Sequence, residues 1–185
     1  TANAFKNMIS KLYRLRPNKK DKLIQWIIET YGMSVIQAAN PASCDNEAPT
    51  LEQVYKRYTN DEEIKKNDSL AAAMNKLHQF QVFENNPNQT KPLFEILNGV
   101  VVIDLSGYDS DIQSLIVAIT LDLFYAQMQA AGSSKLDGKY RQLTKLILVD
   151  EADNFMSEGF SSLKKILKEG REFGVGTILS TQFLK

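Results

Sequence analysis

The stretch LILVDEADNFMSEGFSSLKKILKEGREFGVGTILSTQ, residues 146–182, contains two short apolar runs on either side of a helical pattern. The runs, Lys145–Val149 and Val175–Leu179, are rich in leucine and β-branched residues, and neither alternates with polar residues. Continuous apolar runs of this length are typical of strands that are covered on both faces inside a parallel sheet. The stretch therefore predicts two parallel strands joined by a helix.

Polar residues follow both predicted strands. Asp150 and Glu151 come directly after the first, and Ser180, Thr181 and Gln182 come after the second. Open α/β sheets bind their ligands outside the carboxyl ends of the strands, so we expect one site at this edge. In ATP hydrolysis an aspartate in this place holds the Mg²⁺ shell, the next carboxylate orients water, and a nearby amide or hydroxyl contacts the terminal phosphate. The alternative is that acidic residues follow the strand only because the chain emerges into solvent there.

The helical pattern between the two runs has one apolar face. Its predicted buried residues are Phe160, Leu163, Ile166, Leu167 and Phe173. Arg171 lies outside that face near the end of the helix, and Gly174 is expected to end the helix in a left-handed conformation. An exposed arginine here also complements the helix dipole, which is the alternative to a catalytic role.

A similar pattern begins at Gly99. Val100–Leu105 predicts another buried strand, with Asp104 at its exit. Ser110 and Gln113 form a capping-box pattern that opens a helix to about Ala130, apolar on most faces and therefore expected to be buried. Strands that alternate with helices predict an α/β fold with parallel strands.

The preceding part of the chain, residues 1–92, predicts helices and loops. Thr50 and Gln53 form a further capping-box pattern, and His78 is expected to be a packing residue on an amphipathic helix. The predicted helices are Ala4–Leu15, Lys22–Tyr31, Ser34–Ala39, Thr50–Tyr58 and Asp68–Phe83.

Composition excludes several classes of site. The chain has 185 residues, with 22 Lys and Arg against 22 Asp and Glu, one Cys and one His. A single cysteine and a single histidine exclude an intrachain disulfide and the common zinc sites. We expect a soluble, cytoplasmic chain with no membrane partner. Residues 6–22 contain seven basic residues and only one acidic one. This segment predicts either a contact with an anionic partner or a solvated surface.

The sequence from residue 93 to residue 182 resembles the second half of the HerA/FtsK-type ring ATPases. LNGVVVIDLSG, LILVDEAD, KEGREFGVG and TILSTQ occur in the order and at the spacing of that family. The resemblance implies an ATP- and Mg²⁺-dependent DNA translocase or helicase. It also implies a homo-oligomeric, hexameric ring with protein partners in a DNA restriction or DNA-processing complex.

The resemblance also implies roles for individual residues. Asp150 and Glu151 match the Walker B motif, with Asp150 holding Mg²⁺ through water. Thr181 and Gln182 match the polar end of the next strand. Arg171 matches an arginine that reaches the nucleotide of a neighbouring subunit in related rings.

One part of the family pattern is missing. The chain nowhere contains G-x-x-x-x-G-K-[ST], the loop that binds the phosphates. The resemblance therefore implies a partial RecA-like core at residues 93–185, preceded by a helical insertion at residues 1–92, in a fragment that binds ATP weakly or not at all. Conjugation or type IV secretion ATPases, and a non-catalytic subunit-interaction module, remain the alternatives.

Overall fold

A computed structural model of the protein describes residues 2–37, 39–61, 68–153 and 161–181. The chain divides into a helical unit, Thr1–Lys91 with Gly107–Leu115, and a sheet unit, Pro92–Ser106 with Ile116–Lys185. It contains both helices and a small parallel sheet, which makes it a mixed α/β chain.

The helices of the helical unit follow the predicted apolar patterns, with shifted ends. They are α1 (Ala2–Leu12), α2 (Pro17–Met33), α3 (Leu51–Thr59) and α4 (Ser69–Gln79), with short 3₁₀ helices at Pro41–Asp45 and Pro87–Gln89. Pro17 occupies the first turn of α2, where its missing N–H costs nothing. The predicted helix Ser34–Ala39 is wrong over its described residues, 34–37 and 39. Val35 has a left-handed backbone there, with φ of 58°, which a helix does not permit.

The predicted capping box at the start of α3 is confirmed. Thr50 Oγ1 accepts from the backbone N–H of Gln53 at 3.3 Å, and the Gln53 side chain accepts from the backbone N–H of Thr50 at 2.9 Å. His78 packs against a neighbouring side chain as predicted, although it lies partly exposed on α4. Its Nε2 lies 2.8 Å from Glu52 Oε2, and its ring stacks on Tyr55 with centroids 3.9 Å apart.

Consecutive helices of this unit pack against each other around an apolar core. The Trp26 ring meets the edge of Tyr58, with ring centroids 5.5 Å apart, and its indole N–H donates to Asp61 at 2.9 Å. A buried indole needs such a partner, because an unsatisfied N–H is costly away from water. The core side chains include Ile9, Leu23, Trp26, Ile27, Val54, Leu70, Met74 and Leu77.

The helix α6 (Ser110–Ala131) begins in the helical unit and continues in the sheet unit. The predicted capping box of Ser110 and Gln113 is not what caps this helix, because Asp109 is the N-cap and the Gln113 side chain donates instead to the Tyr108 carbonyl at 2.8 Å. Asp109 Oδ1 accepts from the backbone N–H of Ile112 at 3.2 Å. Lys76 Nζ lies 2.9 Å from Asp109 and 3.1 Å from Asp111. Two carboxylates at a helix N-terminus are favoured by the dipole, so both residues stabilise the start of α6.

The prediction that α6 is buried on most faces is wrong. Its buried residues recur at helical spacing along one face, and Leu123 on another face is exposed. Among the described residues, α6 is the one helix long and apolar enough to cross a membrane by length and composition alone. Core helices of soluble proteins pass the same test, so this is weak evidence.

The two strands predicted on either side of the helical pattern are confirmed at the predicted residues. β1 (Leu136–Asp137) and β2 (Tyr140–Arg141) form a short hairpin that precedes β3 (Lys145–Val149). β4 (Val175–Leu179) pairs in parallel with β3, with Lys145 opposite Val175 and Val149 opposite Leu179. The helices α5 (Leu93–Ile96) and α7 (Ser161–Glu169) complete the described elements of this unit.

The prediction of a buried strand at Val100–Leu105 is wrong. These residues form no strand pairing, and Val100 and Val102 are 98% and 83% exposed. Asp104 is therefore not the exit residue of a strand. Instead it accepts from the Ser106 backbone N–H at 2.8 Å, and hydrogen bonds from Ser106 lower the pKa of its carboxyl. β-branched residues favour a strand only where a neighbouring strand and a covering layer exist.

β3 is likewise not covered on both faces as predicted. Leu146 and Leu148 are 57% and 65% exposed, and they alternate with partly buried residues. Within the described chain β3 and β4 pair only with each other, and the face that carries Leu146 and Leu148 is exposed. The apolar run of β3 is continuous in sequence, but only one face of the strand is partly buried in the structure.

α7 packs on α6 through one face and is tied to it by hydrogen bonds. Ser162 Oγ donates to Asp122 at 2.7 Å, and Tyr125 Oη donates to Glu169 at 2.7 Å. Leu163 and Ile166 are buried as predicted, together with Ser162, whereas Leu167 is exposed. Phe160, the remaining predicted helix contact before α7, lies outside the described residues.

The helix ends as expected at Gly174. A 3₁₀ turn over Gly170–Phe173 follows α7, and Gly174 has φ of 71°. Its carbonyl accepts from the backbone N–H of Thr144 at 2.8 Å and of Lys145 at 3.2 Å. This left-handed residue therefore joins the end of the helix to the start of the β3–β4 pair.

Candidate functional site: the acidic edge of the parallel strand pair

The carboxyl ends of β3 and β4 meet at one edge of the sheet. The Ser180 backbone N–H donates to the Val149 carbonyl at 2.9 Å, and the Ala152 backbone N–H donates to the Ser180 carbonyl at 2.8 Å. These bonds continue the strand pairing past Val149 and Leu179. They bring Asp150 and Glu151 beside Ser180 and Thr181, as the sequence predicts.

The backbone turns sharply between the two acidic residues. Glu151 has φ of 49°, in the left-handed region that residues other than glycine rarely adopt. Its backbone N–H donates to Asp150 Oδ1 at 3.0 Å, and Ala152 directly after it is buried. The turn leaves both carboxylates exposed at the sheet edge while the chain re-enters the core. Strained backbone of this kind is concentrated at functional sites.

The polar end of β4 contacts a third acidic residue. Thr181 Oγ1 donates to Asp153 Oδ1 at 2.9 Å, which joins the ends of the two strands through side chains. Gln182, the other predicted contact for a terminal phosphate, lies outside the described residues. Sequence reasoning missed Asp153, although it is the third acidic residue of the VDEAD stretch.

Arg171 lies at the opposite end of the strand pair. It is exposed in the 3₁₀ turn that precedes β4, and it lines a shallow depression with Tyr140 and Arg141. At about 3.3 Å per strand residue, the five residues of β4 separate this end from the acidic edge by roughly 15 Å. The structure therefore does not bring Arg171 to Asp150 and Glu151 of the same chain.

Arg141 is a neighbour of Arg171 that sequence reasoning missed. Its guanidinium donates to the Ser134 carbonyl at 2.8 Å, and this bond holds it beside the hairpin. Gly138 and Lys139 form the two-residue loop of this hairpin, and a glycine at the first loop position is a common hairpin signal that would have predicted β1 and β2, and with them the position of Arg141.

The acidic edge fits one side of a Mg²⁺–nucleotide site. No group of three or more His, Cys, Asp or Glu side chains suited to a metal is found in the described parts of the chain. Mg²⁺ in nucleotide sites is usually held by one or two carboxylates, with waters and phosphates completing its shell. The exposed Asp150 and Glu151 carboxylates meet that requirement without a protein cage.

These observations define a mixed α/β chain with an acidic site at the carboxyl edge of a parallel strand pair. The sequence matches no model of a known protein family, and a search of curated proteins finds no match either.

Proposed function

We propose that this chain is part of an ATP-driven motor of the HerA/FtsK type that translocates or unwinds DNA, and that its sheet unit is part of a RecA-like core. The observation that carries the proposal is the paired edge, where Asp150 and Glu151 follow one parallel strand and Thr181 follows its neighbour. The order of these residues along the chain is that of the family which the sequence resembles.

Each residue at the edge has a distinct role in this proposal. Asp150 would hold Mg²⁺ through a bound water, and the ion would neutralise charge on the phosphates of ATP. Glu151 orients the attacking water, because its left-handed backbone sets its carboxylate at the exposed edge. Thr181 and Gln182 contact the terminal phosphate. The hydrogen bond from Thr181 to Asp153 holds the threonine hydroxyl near the two carboxylates.

Arg171 acts across a subunit interface in a homo-oligomeric ring, which we propose is a hexamer. Its position at the far end of the strand pair supports a role on a neighbouring nucleotide rather than on its own. Arg141, in the same depression, would supply a second guanidinium for phosphate oxygens.

The narrower proposal is a cytoplasmic motor of a bacterial DNA restriction system. The combination of a long helical insertion and a soluble, cytosolic profile looks similar to DptH, the HerA-like protein of phosphorothioation-dependent restriction, and such a motor would work with protein partners. A conjugation or type IV secretion ATPase is the nearest rival. DNA as the substrate follows from the resemblance, since the chain as a whole has no net charge.

A non-catalytic subunit-interaction module is the second candidate. The exposed apolar face of β3 favours it, because such surfaces mark interaction sites. The 185 residues contain no phosphate-binding loop, which a catalytic subunit requires.

Glu151→Gln tests the catalytic proposal. The substitution is made in a protein that also contains the phosphate-binding segment, which the resemblance places before Thr1. We expect DNA-stimulated ATP turnover to fall by about a hundredfold or more, since removing a group that acts on the attacking water commonly costs this much. Glu95→Gln, which changes an exposed carboxylate of α5, is the matched control and should keep the wild-type rate. Unchanged turnover in Glu151→Gln would reject the assigned role.

Subunit mixing tests the role of Arg171. Arg171→Ala and Glu151→Gln subunits are each expected to be inactive alone, whereas mixed rings should regain part of the turnover. A mixed interface can pair an intact arginine with an intact glutamate. No recovery at any mixing ratio would count against action across the interface.

A further inference from the structure

The connection between α1 and α2 gathers basic side chains on the helical unit. Arg14, Arg16 and Lys20 form what we call the basic elbow. The Arg14 backbone N–H donates to the Lys11 carbonyl at 3.3 Å, and the Lys20 backbone N–H donates to the Arg16 carbonyl at 3.1 Å. These turns hold the three residues at the start of α2, where Arg14 and Arg16 are exposed and Lys20 is partly exposed.

The elbow differs from the neighbouring lysines in its lack of acidic partners. Lys19 pairs with Asp68, and Lys22 pairs with Asp61 at 3.3 Å. For the elbow residues, no carboxylate partner exists among the residues that the structure describes. The first turn of α2 also has no acidic residue of its own that would offset the positive end of the helix dipole.

Arg14 has an unfavourable backbone conformation. Its φ of 48° lies in the left-handed region, where glycine is less strained than arginine. An arginine held in such a conformation, exposed and without a described ion pair, points to a role outside the helical unit.

We propose that the basic elbow binds the phosphodiester backbone of a nucleic acid without reading its sequence. Guanidinium groups match phosphate oxygens in geometry and charge. A membrane surface is a poorer partner, because membrane-binding helices insert large apolar side chains beside their basic ones, and the large apolar side chains exposed on α2, Ile28 and Met33, lie more than two helical turns after Lys20. The choice of DNA as the nucleic acid rests on the proposed function, but binding at the elbow needs no ATP.

Fluorescence anisotropy with a short mixed-sequence DNA duplex, without nucleotide, tests the inference. Log affinity falls with log salt concentration by about 0.9 for each phosphate that a cation neutralises. We therefore expect the double variant Arg14→Gly/Arg16→Ser to reduce this slope by about 1.8 between roughly 50 and 200 mM salt. At the lower salt concentration we expect its affinity to be at least about tenfold weaker than that of the wild type, because a slope difference of about 1.8 over a fourfold change in salt is itself about a twelvefold change in relative affinity.

Both substitutions suit the local backbone, so loss of folding should not explain loss of binding. Glycine relieves the left-handed position, and serine is a preferred residue at the helix N-cap that Arg16 occupies. Circular dichroism and denaturant unfolding check this directly. Lys20→Ala is a second, single variant, and it should reduce the slope by about 0.9.

Lys164→Ala/Lys168→Ala is the matched control, since it removes two exposed positive charges from α7. This control should bind DNA like the wild type, and Arg14→Lys/Arg16→Lys should keep most of the slope. Equal binding by the wild type and the folded elbow variants would overturn the inference and leave the ATPase proposal standing. No binding of DNA by the wild type at low salt, or binding of phosphatidylserine vesicles instead, would also overturn it.

Discussion

Gly174 leaves no room for a side chain where the 3₁₀ turn meets β4. An added Cβ would lie 2.4 Å from the Gln142 carbonyl oxygen and 2.8 Å from Ser134 Cβ, and the residue has positive φ. We expect Gly174→Ala to lower the free energy of unfolding by about 2–4 kcal/mol, since backbone strain and overpacking act together. Denaturant unfolding measures the change.

Gly138 provides the matched control at the residue scale. It also has positive φ, of 59°, but an added Cβ would meet nothing within 4 Å. Gly138→Ala should therefore cost only the backbone strain, about 1 kcal/mol. Equal losses in the two variants would show that contacts around Gly174 contribute nothing beyond its conformation.

Glu151 is expected to lower the free energy of unfolding, because the backbone conformation that sets its carboxylate at the sheet edge is unfavourable. Its left-handed backbone, with φ of 49°, is cheaper for glycine than for glutamate. We expect Glu151→Gly to raise the free energy of unfolding by about 1 kcal/mol. Thermal or denaturant unfolding of the isolated chain measures the change and needs no ATPase activity.

Glu151→Gln separates the effect of backbone strain on stability from the effect of the carboxylate charge. Glutamine keeps the Cβ and therefore the strain, so its unfolding free energy should stay close to that of the wild type. Both variants should lose ATP turnover under the proposed function, but only the glycine variant should gain stability. A less stable Glu151→Gly would mean that side-chain contacts outweigh the backbone term.

At the scale of elements, Asp68 stabilises the start of α4 in two ways. Its Oδ1 accepts from the backbone N–H groups of Leu70 at 3.0 Å and Ala71 at 2.9 Å, and its other oxygen pairs with Lys19. Partial burial alone would raise the pKa of this carboxyl. The hydrogen bonds from Lys19 and the backbone outweigh burial, and they lower the pKa below its ordinary value.

We expect Asp68→Ala to cost more than Asp68→Asn. Asparagine keeps the N-cap and loses only the ion pair, whereas alanine loses both, and a cap is worth about 1 kcal/mol. The difference between the two variants should not change with pH. Urea unfolding at several pH values measures both quantities.

The sign of the pH dependence follows from the lowered pKa. The pKa of the Asp68 carboxyl is lower in the folded state than in the unfolded state, where it is about 3.9. The carboxyl therefore stabilises the fold above the unfolded-state pKa, and this stabilisation is lost as the pH falls through the folded-state pKa. The advantage of wild type over Asp68→Asn should thus be complete near neutral pH and shrink below about pH 5. An advantage that grew in acid would contradict the assigned ion pair.

The elements show how far local sequence predicts this fold. The strands β3 and β4, the helix between them and the cap at Thr50 follow from patterns within a few residues, and all are confirmed. Val100–Leu105 has a strand-like composition but no partner strand in the described chain. Burial depends on what covers an element, and a run of apolar residues alone does not contain that information.

The candidate site, like the fold, is only partly predictable from the sequence. The juxtaposition of Asp150 and Thr181 follows from parallel strands ending at one edge, and it is predictable from sequence. The left-handed turn at Glu151 and the distance between Arg171 and the acidic edge are not predictable in this way. They depend on how the chain re-enters the core at Ala152 and on where the 3₁₀ turn meets β4.

At the scale of the whole molecule, apolar surface remains exposed in the sheet unit. Val100 and Val102 project into solvent, and Leu146 and Leu148 are exposed on β3. Exposed apolar patches mark interaction surfaces or promote aggregation. This surface is expected to make the isolated chain bind a hydrophobic dye and self-associate as its concentration rises.

Val100→Thr/Val102→Thr tests this expectation. Threonine keeps the β-branched shape and adds a polar group, so we expect weaker dye binding and less light scattering. Because both side chains are almost fully exposed, the free energy of unfolding should change by less than about 0.5 kcal/mol.

Val54→Thr, at a buried position of α3, is the control and should cost about 1–3 kcal/mol, since it places a hydroxyl in the core. A comparable loss of stability in the exposed double variant would mean that Val100 and Val102 are packed in solution. It would restore the original prediction of a covered strand at Val100–Leu105.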